Sequence, residues 1–77
     1  MADGRDEWAK RARRYLKAEL KRAEVTYDEL AHRLHDMGIK ETKGSVTVKV
    51  NRGAFPAWFF FATMKAIGRE NINLADV

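Results

Sequence analysis

Two periods of apolar and polar residues run through this chain. From Asp6 onward, Trp8, Ala12, Tyr15, Leu16, Leu20 and Ala23 recur at helical spacing over more than four turns. They predict a first helix over about residues 6–24, with Asp3 or Asp6 placed to accept from its free amides. In "VTYDELAHRL", Thr26 and Glu29 have the spacing of a reciprocal capping box, and Val25 and Leu30 that of a hydrophobic staple. A short second helix over about 27–37 follows, burying Leu30, Ala31 and Leu34 and closing at Gly38. Further on, Pro56 opens a last helix over about 56–67, with Phe59, Phe60, Thr63, Met64 and Ile67 on one face and Gly68 past its end. Ile72 and Leu74 are then placed to pack back as an extended strap.

The stretch "GSVTVKVNRG" changes period. Val46, Val48 and Val50 alternate with Thr47 and Lys49, the pattern of a half-buried strand. The same letters put Val46 and Val50 four apart on one helix face, with Ser45, Val48 and Arg52 opposite. A lone strand among helices has no partner for its backbone groups, the chain offers no second strand-like run, and Gly44 and Gly53 only bracket the segment without supplying a hairpin turn. The segment therefore reads as a third helix over about 43–52, starting at Thr42 or Lys43 and stopping at Gly53. The expected fold is all-α, a single four-helix domain over residues 1–77.

At 77 residues there is room for one small core. There is no cysteine, so neither disulfides nor thiolate ligands are expected to reinforce that core, and a cytoplasmic location is the expectation. No apolar run approaches the roughly 18–20 residues of a membrane span, and the first residues lack the apolar core of a secretory signal. The formal net charge of +4 favours an anionic partner. Its distribution says more: residues 1–24 carry +3, residues 25–41 carry −2, residues 42–55 carry +3 without an acidic residue, and the remainder is neutral. Lys10, Arg14, Lys17 and Lys21 form a basic stripe on the first helix, the ordinary dress of a solvated face.

A capped short second helix, a connector holding Gly38 and Gly44, a third helix ending in "NRG" and a Pro-started fourth helix together resemble the helix-turn-helix domains of the λ-repressor/Cro (XRE) type. The matching residues are "TYDELAHRL" and "VKVNRGAFP", and the likeness covers roughly residues 9–68. A group of small bacterial proteins of unknown function is more similar still, sharing in order the motifs that begin here at Trp8, Thr26, Arg52 and Ala66. The connector "HDMGIKETKGS" is longer than the tight turn of the motif, and the third helix carries valines where polar residues are usual. The resemblance implies double-stranded DNA as partner, with the third helix in a major groove. Lys43 would stand at its start, and Ser45 and Thr47 would bond base edges. Val48 would pack on a thymine methyl, Lys49 would reach guanine or phosphate, and Arg52 would complete the outward face. Thr26 and Tyr27 would meet the backbone at the start of the second helix. Solvated cations, a packed Val48 and a purely capping Thr26 are the plainer readings of the same residues.

Enzyme chemistry finds little in the chain. His32 and His35 share a helix face without a third ligand, and no phosphate loop, nucleophile elbow or paired carboxylates in a cleft are evident, so no activity, cofactor, metal or small-molecule ligand is expected. A small transcriptional regulator is the leading expectation; a protein-interaction module on the same fold, and RNA binding, are the competitors. In the fourth helix, Trp58, Phe61 and Lys65 lie opposite the core face. Either Ile72 and Leu74 cover the two aromatics, or these form the patch of a homodimer.

Overall fold

Residues Lys43–Arg52 form an α-helix, which settles the choice left by the valine alternation. In the computed structural model, which describes residues 3–77, that helix (α3) follows α1 (Gly4–Arg22) and α2 (Tyr27–Asp36) and precedes α4 (Ala57–Ala66). A single 3-10 turn, Leu74–Asp76, comes last, and no strand occurs among the described residues. Residues 1 and 2 of the expected domain lie outside the described residues. The fold is all-helical: α3 packs against α1 and α2, and α2 packs against α4. Helix wins over strand because Val46 and Val50, one turn apart, are both fully enclosed in the core while Val48 stays exposed. Strand alternation would have put all three on one side.

α1 starts slightly earlier than the apolar pattern indicates, because Asp3 accepts from the Arg5 amide at 2.8 Å and also pairs with the Arg5 side chain. That side-chain bond, with the backbone bond beside it, holds the Asp3 carboxyl below the usual carboxylate range. The helix also ends earlier, at Arg22. Glu24 takes a left-handed φ of 57°, and the Val25 amide donates to the Leu20 carbonyl at 3.0 Å, which turns Val25 into the core. Trp8 was expected on the buried face; it is exposed and stacks on the Arg11 guanidinium, 4.8 Å from the ring centre. The physical reason is reach: the enclosed side chains of α1 begin at Tyr15.

Thr26 caps α2, accepting from the Glu29 amide at 3.1 Å, but the return half of the expected capping box is replaced. The Glu29 carboxylate instead accepts from Arg33, whose other nitrogen donates to the Ala66 carbonyl at 3.0 Å and so closes the last turn of α4. Pro56 is the residue before α4 rather than its first helical one, in extended conformation with ψ 155°. Phe59, Thr63, Met64 and Ile67 are buried as expected, and Phe60 is half-buried.

Among the described residues, Glu19 of α1 is the charged residue enclosed as a whole. Its Oε1 accepts from Arg22 at 2.6 Å, while its Oε2 sits 2.6 Å from Nε of Arg69, an ion pair without hydrogen-bond alignment. Arg69 follows α4, so this pair ties the start of the tail to α1. Beyond it the tail departs from an extended strap. Ile72 and Leu74 remain exposed, and it is Val77 that packs partly against the core.

Candidate nucleic-acid interface

The third helix has unusually definite ends. Thr42 Oγ1 accepts from the Ser45 amide at 3.0 Å, and Ser45 Oγ accepts from the Thr42 amide at 2.9 Å, a complete capping box. The stop is Gly53, at φ 67°, and it has a second duty. A Cβ on Gly53 would overlap the carbonyl oxygen of Ala9 and come within 3.1 Å of Arg13 Cβ, so only glycine lets α1 and α3 approach this closely. Arg13 Nη1 donates to the Asn51 carbonyl at 3.1 Å, meeting one of the orphan carbonyls of the last turn.

With Val46 and Val50 turned inward, the opposite face of α3 is left open. Lys43, Gly44, Val48, Asn51 and Arg52 are exposed, and α3 contains no acidic residue. Cations therefore stand at both ends of a face whose middle carries an apolar side chain, with a primary amide beside Arg52. Such a surface can offer donors to anionic oxygens, apolar contact to a methyl group and a bidentate amide to a base edge.

The residues expected to read DNA divide into four groups. Lys43, Val48 and Arg52 are on the open face. Ser45 and Lys49 are turned to Glu41, a connector residue whose side chain is only 6% exposed. Ser45 Oγ donates to Glu41 Oε1 at 2.7 Å, and Lys49 Nζ lies 3.0 Å from each carboxylate oxygen and 5.8 Å from the centre of the Phe59 ring. Thr47 is half-buried, and its hydroxyl donates to the Lys43 carbonyl at 2.6 Å, which leaves it only acceptor capacity outward. Thr26 and Tyr27 lie elsewhere, bordering a shallow depression with Lys17 and Lys21 of α1. Two members of the basic stripe thus flank the free amides that open α2. Burial pushes the Tyr27 phenol up, so it stays a hydroxyl donor.

Three participants escaped sequence reading. Asn51 sits on the open face, and its place one turn beyond Thr47 was available from helical spacing. Arg13 gave no local signal because its partner, Asn51, is 38 positions away, and Glu41 gave none because it precedes α3 and so lies outside that helix's repeat. His32 and His35, singled out as a pair, are exposed. They border a depression with Lys43 and Asp28, and His32 Nε2 lies 3.9 Å from Asp28 Oδ1. Among the described residues no cluster of three His, Cys, Asp or Glu side chains is arranged to hold a metal ion, and no helix is long and apolar enough to cross a membrane.

No curated protein and no solved structure matches the chain. A family described as a domain of unknown function, DUF6471, matches residues 8–72, from the tryptophan near the start of α1 through the first residues of the tail, and the chain belongs to that family.

Proposed function

We propose that this protein binds double-stranded DNA through the open face of α3, as a small helix-turn-helix transcriptional regulator. The observation that carries the reading is the division of α3 into a fully buried valine edge and an exposed, acid-free face with Lys43 and Arg52 at its ends. A major groove about 12 Å across admits an α-helix. On this reading Lys43 and Arg52 engage phosphate or guanine, and Val48 packs on a thymine methyl. Asn51 pairs with an adenine edge, and Thr47 accepts from a base amino group. Lys17, Lys21, Thr26 and Tyr27 hold the neighbouring backbone. Ser45 and Lys49 act from behind the surface, through Glu41, and keep the start of α3 in place.

The test is a salt titration of binding to random and selected duplexes. Each phosphate contact contributes a slope near −0.9 in the logarithm of affinity against that of salt, so Lys43→Ala and Arg52→Ala each flatten the dependence by about one. No binding at about 50 mM salt, or an affinity indifferent to salt, would overturn the reading in favour of a protein-interaction module. Preference for a single-stranded or structured RNA competitor over duplex DNA would overturn it in favour of RNA.

A further inference from the structure

Seven large apolar side chains are exposed among the described residues, and five of them line one groove or stand one helical turn from a residue that does: Trp8, Trp58, Phe61, Ile72 and Leu74. Phe61, Ile72 and Leu74 border a groove of about 440 Å³ between α1, α4 and the tail, whose α1 wall is Ala12 and Tyr15. Trp8 lies one turn before Ala12 on the same face of α1, and Trp58 about one turn before Phe61 on α4. No charged side chain lines the groove. Leu74 stands at its edge on the 3-10 turn and is 79% exposed, so a protruding knob sits beside an open hole. A patch holding both shapes is complementary to itself, which is the requirement of a two-fold contact.

The amount of surface agrees. Between 39% and 79% of each of the five residues is exposed. At roughly 150–250 Å² for a large side chain that leaves roughly 400–700 Å² of apolar surface on each copy. Specific interfaces bury about 800 Å² per partner, and weaker ones less than about 600 Å². The net charge of +4 opposes self-association, but no charged side chain lines the groove that the contact fills. An adjoining depression shares Phe61 and Ile72 with the groove and carries Lys65, Arg69 and Glu70; Arg69 is already paired with Glu19, so a two-fold axis can set Lys65 and Glu70 against each other.

We propose that a second copy of this chain covers this face, in a symmetric dimer in which the Leu74 of each copy enters the groove between α1 and α4 of the other. The tail is then part of the interface rather than a cover for Trp58 and Phe61. The dimer is measured without DNA, so it stands or falls independently of the DNA reading.

Sedimentation equilibrium of the whole chain from about 10 μM to about 500 μM is the test, with a midpoint expected in the micromolar range for an interface of this size. Leu74→Asp and Phe61→Asp each weaken self-association at least tenfold while far-ultraviolet circular dichroism is unchanged. Leu74→Asp keeps the test sound should the α4 variant unfold, because its side chain is almost wholly in solvent. A chain that stays monomeric throughout, or a dimer indifferent to both substitutions, overturns the proposal. So does a dimer dispersed by Val48→Asp and not by Leu74→Asp, which would move the interface to α3.

Discussion

Both carboxylate oxygens of Glu41 lie 3.0 Å from the Lys49 ammonium, and the pair is set against the Phe59 ring rather than toward the open face of α3. A cation that helical spacing offers to DNA is thereby held by a carboxylate from the connector. Lys49→Ala leaves that buried carboxylate without its counter-charge, and a loss of about 1–3 kcal/mol is expected in urea denaturation. Arg52→Ala, on the open face, changes stability by no more than about 0.5 kcal/mol and weakens duplex binding more than Lys49→Ala does. Adding Glu41→Gln to Lys49→Ala recovers part of the lost stability, since the orphaned charge is removed with its partner. Equal stability of wild type and Lys49→Ala would show that the pair contributes nothing to the fold.

Gly53 and Gly38 both have positive φ, at 67° and 84°, yet they should respond very differently to alanine. Nothing lies near an added Cβ at Gly38, so Gly38→Ala meets only the left-handed backbone cost of about 1–2 kcal/mol. At Gly53 the same cost is joined by collision with the Ala9 carbonyl of α1, and about 3 kcal/mol or more is expected as the two helices separate. Denaturant midpoints of the two variants, measured side by side, give the ratio.

Glu24 is the one described non-glycine residue with positive φ, at 57°. Glu24→Gly relieves a strained conformation that the turn between α1 and α2 imposes, and it loses only an exposed side chain. A rise in stability of about 0.5–1 kcal/mol is expected, the larger flexibility of glycine in the unfolded chain offsetting part of the relief. A lower thermal midpoint would mean that the Glu24 side chain stabilises the turn.

Thr63 Oγ1 is wholly enclosed in the core without a hydrogen-bond partner. Thr63→Val keeps the shape and removes the unsatisfied hydroxyl, so it is expected to be neutral or to stabilise by about 1–2 kcal/mol. Thr63→Ala opens a gap instead and should cost stability. A destabilised valine variant would reveal a polar partner for this oxygen.

Much of the site was legible because helix ends are written locally. Thr26 and Gly53 announce a start and a stop through bonds and dihedral angles within a few residues, and the inward spacing of Val46 and Val50 follows from the helical repeat. The Thr42–Ser45 capping box was equally local and went unread because serine stands where glutamate or glutamine is usual. The expected Glu29 half of the box at α2 failed for the opposite reason: Arg33, itself held at the end of α4, draws the carboxylate away.

The sequence by itself determined the helices, their approximate limits and the valine edge of α3, since each depends on neighbours no more than a turn or so away. Only the tertiary structure decided which polar residues of α3 face outward. It decided that Glu41 takes Lys49 and Ser45, that Arg13 reaches across 38 positions to the Asn51 carbonyl, and that Gly53 lies against the backbone of α1. It also decided that the tail leaves Phe61 and Leu74 exposed instead of burying them. The Arg13 and Gly53 contacts join segments distant in the chain, and Glu41 meets its partners from outside the helical repeat of α3; a periodic pattern constrains only the direction in which a side chain leaves its own helix. What stands at the other end of that direction is set by how the helices pack.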